Sequence, residues 1–554
     1  LNLGQVLTNG GAIDLFAGTI SHSGEINADS LTLDASGNIT LKAQSDITLT
    51  ETSTTTANSQ STNTSTITIE SDTGTTLVSG QVSSTSESGQ GGTIHVLANH
   101  VGIIDQASID TSGQTGGGEI LIGGDYQGAN PAVNNANNSY IANDVSISAD
   151  ASDNGDGGKV IVWADETTEF HGQISAMGGS ESGDGGFIEI SSKDKLNYRG
   201  SINVSSNFGQ AGAILFDPKN ITIATVGSDV IANNDTYSEN PTLDVTFSPT
   251  AITTILDSGA NLTLQANNDI SINNNINVSA SGAGGDFSLF SGRSVNVNAD
   301  IFTDGGTFYA QTNVITGGID FDNRDSGAAL FNLTAGNTIN TGGGSLLVQM
   351  AGLAGTADEI QIGGSMTTGN GNMNLQILRA GDNDRLNLLS TAVINAGTGT
   401  IGFVIDELLI NAGATVTTST DLSIRPLGTI GFGSAAGDVQ LNQAEITLLE
   451  NAVTAASIIF GYNFYTNDIS IDTASFTEPV KFLSDTGNIF IDSNLSGTEL
   501  TFETNGTVQT TLDNTTLTVT NGVSLNKATL KIGSSPTVAS TLTVTDGSTG
   551  GDFN

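Results

Sequence analysis

A glycine corner followed by strictly alternating apolar residues recurs five times in the first half of the chain, and this recurrence limits the possible folds more than any other feature. TIHV follows Gly92, EILI follows Gly118, KVIV follows Gly158, FIEI follows Gly186 and AILF follows Gly212. The second and fourth positions are Ile94 and Val96, Ile120 and Ile122, Val160 and Val162, Ile188 and Ile190, Ile214 and Phe216. All are apolar, as in a strand with one buried face. Thr93, His95, Glu119, Lys159, Phe187 and Glu189 occupy first and third positions and are expected to face solvent. On that expectation Ile188→Asp is damaging, whereas Glu189→Ala is nearly silent.

The corners lie about 26, 40, 28 and 26 positions apart, a spacing that indicates a solenoid. The long interval holds the insertion "GGDYQGANPAVNNANNSYIA". A second strand keeps the same beat in "ASIDTSG", "VSISADAS", "GQISAMGG" and "GSINVSSN". Each rung therefore needs at least two strands, and stacking in register gives every strand amide a partner above or below. The expected fold is all-β, a parallel β-helix (β-solenoid) with short helical interruptions. A propeller, the competing β repeat, would call for more aromatics and antiparallel hairpins.

Four segments are expected: 1–216, a first β-helix segment; 217–260, a connector with a short helix; 261–440, a second β-helix segment; and 441–554, a helical break and a third. In "SPTAITTILDSGA", Ser248 is placed to cap a helix, Pro249 to start it and Gly259 to stop it, with Ile252, Ile255 and Leu256 on one face. "NQAEITLLENA" is a weaker second helix candidate, in which Ala444, Glu445, Leu448 and Leu449 form barely two turns. Residues 51–90, rich in Ser and Thr, read as an irregular rung or a loop excursion. The closing Gly550, Gly551, Asp552 and Phe553 repeat Gly284, Gly285, Asp286 and Phe287 without the strand that follows there. The expectation is a longer parent polypeptide, or open rungs that stack end to end.

Charge narrows the functional classes. The 554 residues include 57 Asp plus Glu but 14 Lys plus Arg, a formal net charge of -43. Nucleic acid and anionic membranes both need a basic footprint, so neither is expected as a partner. The absence of cysteine suits a chain that crosses a membrane pore unfolded.

No catalytic, cofactor-binding or metal-binding residues are assigned. Asp156 and Asp184, in the twice-written GDGG, could stack one strand spacing apart as calcium ligands. Other rungs carry Gln90, Gly116 and Gln210 at that place, so a corner built on glycine φ and Asp–backbone bonding is the preferred reading. A phosphate-binding loop is not supported, since no helix follows. A glycan-active enzyme would need clustered carboxylates or a basic catalytic residue. Arg199, Arg293, Arg324, Arg379, Arg385 and Arg425 are instead scattered. His22, His95, His100 and His171 lack the company of a metal set and are expected at exposed strand or turn positions. Trp163 stands at an outward position, where a covering loop is favoured over sugar stacking. Asn203, Asn261, Asn277, Asn332 and Asn505 begin Asn-x-Ser/Thr sequons, which arise readily in a chain of this composition.

"GGTIHVLANHVGIIDQASIDTSGQTGGGEILIGGDYQG", "ISAMGGSESGDGGFIEIS", "AGAILFDPKNITIA" and "SPTAITTILDSGANLTLQANNDISI" together resemble the filamentous-haemagglutinin-like, high-molecular-weight adhesins of two-partner secretion. The resemblance spans most of residues 1–310 and, more loosely, about 444–484. It implies a right-handed β-helix, export through an outer-membrane β-barrel partner, and residence outside the cell or on the outer surface of a Gram-negative-type bacterium. It also implies a non-enzymatic adhesive role toward a host or neighbouring-cell receptor or glycan. A structural filament or stalk, including the shaft of a contact-dependent toxin, is the alternative, with homotypic end-to-end or lateral assembly.

Overall fold

A computed structural model describes the chain except for residues 3, 31–36, 61, 63, 218, 226–244, 280, 315–323, 352–356, 380–383, 506, 511–515, 527–528, 532–540 and 545–554. The repeat of the glycine-Asp-Phe motif near the C-terminus lies outside the described residues. The chain forms two compact units, Leu1–Gly292 with Thr316–Asp325, and Arg293–Ile315 with Ser326–Asn554. Both are built from parallel strands stacked rung upon rung as a β-helix.

In the first unit a full rung has three strands. One rung comprises Thr93–Leu97 on a long sheet, His100–Ile103 on a second and Ser108–Asp110 on a third. Each strand pairs in parallel with its counterpart in the next rung: Thr93 with Glu119, His100 with Asn138, and Ser108 with Ser146. The long sheet places Ile94, Ile120, Val160, Ile188 and Ile214 in one inward column, and all five are buried. Each such side chain contributes roughly 1.5–3 kcal/mol relative to exposure.

Residues 51–90 depart from the expectation of an irregular rung. They supply Thr54–Thr56, Thr66–Ser71, Thr75–Val78 and Gln81–Ser83 to the regular stack. The aliphatic pattern fades because small polar residues fill the interior: Ser53, Thr55, Ser59 and Ser65 are buried, and Thr55 stacks between Ile26 and Val82. Threonine has nearly the shape of valine, so the stack accepts it.

After Asp217 a helix interrupts the rungs. Helix α1 runs Pro249–Asp257; Ser248 Oγ accepts from Ala251 N at 3.1 Å, and Gly259 takes a positive φ of 82° after the last turn. Ile252 and Leu256 are buried and Ile255 half-buried, the face expected from sequence. Nearby, Phe216 packs between Tyr198 and Phe247, with ring centroids at 4.7 and 4.9 Å.

The second unit starts with similar rungs, pairing Leu346 with Met373 and Met373 with Ile401, and then shortens. Late rungs pair Ile458 with Val480 and Val480 with Leu500. Helix α2, Gln443–Ala452, is longer than the two turns expected, because a capping box starts it well. Asn442 Oδ1 accepts from Ala444 N and Glu445 N, while Glu445 Oε2 accepts from Asn442 N at 2.8 Å. Its buried face is Ile446, Leu449, Glu450 and Ala452. The buried Glu450 accepts from Thr477 N and Glu478 N.

Candidate functional site

The glycine corners form a column. In each rung the second glycine donates back to the end of the preceding strand: Gly92 to Ser84 O, Gly118 to Thr111 O, Gly158 to Ala149 O, Gly186 to Ala176 O and Gly212 to Val204 O, all at 2.7–2.8 Å. These corners stack so closely that a Cβ on Gly158 would lie 2.1 Å from Gly118 O, and one on Gly186 would lie 2.1 Å from Gly158 O. Glycine is required here by close backbone approach. The positive φ expected of the GDGG motif is found at its first glycine, Gly155 at 91° and Gly183 at 117°.

Asp156 and Asp184 do stack. Asp156 Oδ1 accepts from Asp184 N at 2.7 Å, and Asp184 Oδ1 accepts from Gln210 N at 2.7 Å. The carboxylates tie each corner to the next one rather than to their own local backbone. The device recurs: Asp29 receives Asn58 N, Asp46 receives Thr75 N, Asp150 receives Met177 N, and Asn372 receives Thr400 N. Much of the Asp and Asn content thus satisfies amides at turns, where the strand ladder lapses. Among the described residues no group of three or more His, Asp or Glu is placed to hold a metal ion.

Along this glycine column runs an open groove of about 990 Å³ that crosses successive rungs of the first unit. Thr93, Glu119, Lys159, Phe187, Asp156 and Asp184 are among the residues that line it. Lys159 Nζ lies 3.2 Å from Glu119 and 2.8 Å from Asp125. Glu119 also meets His95 at 3.5 Å, and these partners, His95 foremost, lower its carboxyl below the usual range. Burial opposes ionisation of Asp125, but Lys159, Asn130 and the Tyr126 N–H outweigh it and hold that carboxyl at about 2. Phe187, which lines the groove, meets the Tyr126 ring at 5.8 Å, and Tyr126 is 45% exposed.

The inserted segment of the long interval roofs the outer face beside the groove. It leaves the rung at Gly123 and closes at its neck through Ala136 N to Gly123 O, 2.6 Å. Beneath it Trp163 is 1% exposed and packs with Leu121, Ile161 and Val133. Its Nε1 donates to Asp165 Oδ1 at 3.1 Å, and Asn135 binds both Asp165 and Gly128 O at 3.0 Å. Gly128, at φ 58°, could carry no side chain: a Cβ there would sit 2.4 Å from the indole. The loop-covered reading of Trp163 is therefore the one observed.

The roof overturns another expectation. Glu189, read as solvent-facing and mutable, is fully buried, and both its oxygens accept from Gln127 N at 3.1 and 3.2 Å. The third-position residues Leu121, Ile161 and Leu215 are buried with it. The alternation was sound, but its outward side meets protein here instead of water.

None of the four histidines is exposed as expected: His22 is buried and His95, His100 and His171 are half-buried. His22 is buried between Asn2 and Thr54 O, at 3.2 Å from each, and burial lowers its pKa. His171 sits beside Glu169 at 3.6 Å and against the Tyr140 ring. His95 belongs to the long sheet and His100 to the second sheet, where it meets Asn138. The arginines do not converge: Arg385 pairs with Glu359 at 2.8 Å, Arg324 binds Gly292 O, and Arg425 binds Ser423. Of the sequon asparagines, Asn203, Asn261, Asn277 and Asn505 are exposed and Asn332 is half-buried.

Neither a family model nor a curated protein matches the chain.

Proposed function

We propose that the chain is a non-enzymatic adhesive protein of the cell exterior, exported through an outer-membrane β-barrel partner, which presents a β-helical surface to a receptor or glycan. One observation carries this reading: the open groove beside the glycine column, which crosses successive rungs and is lined in part by Phe187, whose ring meets Tyr126 at 5.8 Å. Such a surface suits an extended polymer, which can lie along successive rungs and stack on an aromatic face. Rigid stacked corners cost little ordering entropy when they bind, which favours contact by a preformed surface. The ordered run of motifs resembling two-partner-secretion adhesins supports the same role.

The test incubates purified protein with cells and an immobilised glycan panel while electron microscopy images the same sample. Selective binding by single particles, reduced at least about tenfold in Phe187→Ala, is the expected result. Regular fibres with no binding would favour the filament reading. Binding that Phe187→Ala leaves unchanged would move the contact away from the groove.

A further inference from the structure

Two buried acids lie beside the roof, and the cation that acts on Glu189, Lys159, is already paired with Asp125 and Glu119. Glu189 is 0% exposed and Asp217 1%. They belong to adjacent strands of the long sheet, where Ser191 pairs with Asp217 in register and Glu189 pairs with Leu215. Asp217 Oδ2 accepts from Gln265 Nε2 at 3.0 Å, Gln127 Nε2 reaches Gln265 Oε1 at 3.3 Å, and Gln127 N donates to Glu189. Asp217 Oδ1 has no hydrogen-bond partner among the described residues. A buried carboxylate pair in this setting would carry an uncompensated charge, which a protein interior avoids by keeping a proton.

The roof is attached by a strained residue. Gln127 takes φ 53°, a left-handed conformation that costs a non-glycine residue roughly 1 kcal/mol or more. That conformation aims its N–H at Glu189.

We infer that Glu189 and Asp217 form a proton-held latch: protonated, they seat the 123–136 roof over Trp163, and on losing the proton they draw in water and release it. The charged groups around the latch bear this out. From the roof come Asp125 and Tyr126, from the neighbouring rung Lys159, and from its own and the following strands Asp217 and the neutral Gln265. Lys159 is already engaged by Asp125 and Glu119. Burial raises Glu189 to about 8, and the Gln127 N–H and Lys159 offset it only in part. Burial and Glu189 raise Asp217 as well.

The sign follows. A seated state with a raised carboxyl pKa binds a proton that the released state has lost. Its advantage is complete below the ordinary carboxyl range near 4.5 and disappears as pH climbs through about 8. For one such proton, the release constant rises about tenfold per pH unit in that window.

Trp163 is the single tryptophan of the chain, so its fluorescence reports the roof directly. The experiment titrates the purified chain from about pH 5 to about pH 10, with and without EDTA. It follows the emission maximum, acrylamide quenching and amide exchange of residues 123–136, with far-UV circular dichroism to follow the rungs. The expected result is a red shift and faster exchange on the alkaline side, with unchanged circular dichroism. The near-isosteric Glu189→Gln should weaken the transition, and Glu189→Gln with Asp217→Asn should abolish it. A double variant that keeps the wild-type transition, or a wild type with no transition, would overturn the latch. A transition moved by EDTA would overturn it too, by showing that a metal ion and not a proton holds the pair. If a variant misfolds, the wild-type exchange profile still decides.

Discussion

The two units solve the same packing problem with different side chains. In the first, the rungs fill the interior with aliphatic columns such as Val96, Ile122, Val162 and Ile190. In the late rungs of the second, phenylalanine takes over: Phe460, Phe482 and Phe502 stack at 6.0 and 5.5 Å with planes within about 20°. Phe432 meets Phe460 and Phe482 edge-on at 4.8 and 5.4 Å. The reason is geometric. A shorter turn of chain offers fewer inward positions, so each must supply more volume to keep the interior close-packed. In these two stretches the shorter rungs carry the larger side chains.

That comparison can be broken most forcefully at Ile188. Placing Asp there puts a charge between Val160 and Ile214 and should cost about 4 kcal/mol or more, read as local loss of exchange protection or a lower denaturation midpoint. A cost under about 1 kcal/mol would mean that the aliphatic column is not the interior. Phe482→Ala should cost about 3–5 kcal/mol and Ile188→Val only about 1 kcal/mol, since the aromatic column concentrates more volume in each residue. Equal losses in urea denaturation would remove the distinction between the units.

Glycines sharpen the contrast on a smaller scale. Gly158→Ala forces a methyl against Gly118 O and should cost about 2 kcal/mol or more. Gly336→Ala in the second unit meets open space and only the strain of φ 88°, so about 1 kcal/mol is expected. Calorimetry on the pair distinguishes close approach from backbone conformation. Smallest of all, Asp156→Ala should cost about 1 kcal/mol, while Asp156→Asn should be near neutral, because an amide oxygen can accept from Asp184 N as Asn372 accepts from Thr400 N. A large loss in Asp156→Asn would show that the charge itself matters there.

What could be seen in the sequence followed from period two. The ten apolar positions after the glycine corners are all buried, and the second strands pair where the repeated beat puts them. Two features escaped because their signals are of another kind. The hydroxyl-filled rung around Thr55 has the strand shape without the apolar marker. The roof over Glu189 is signalled by Leu121 and Ile161, apolar residues at outward positions, followed by Trp163. A run apolar on both faces indicates a strand covered on both faces, and the nearby insertion supplies the cover. Nothing in the sequence pairs Gln127 with Glu189, since that bond joins residues 62 apart in different rungs.

The parallel register also governs how such a chain gains its shape in time. Ile67 meets Ile94 and Ile94 meets Ile120, so most contacts join residues a single rung apart. Closing a loop of that size costs about 3 kcal/mol of chain entropy, and the next closure costs the same. The connector between Ile214 and Leu262 is far longer, yet the logarithm makes it only about 0.5 kcal/mol harder to close. An all-β chain of this length would ordinarily be slow, because distant strands must find one another. Here each finished rung offers a template to its neighbours, so assembly becomes a series of similar short steps that can start anywhere in the stack.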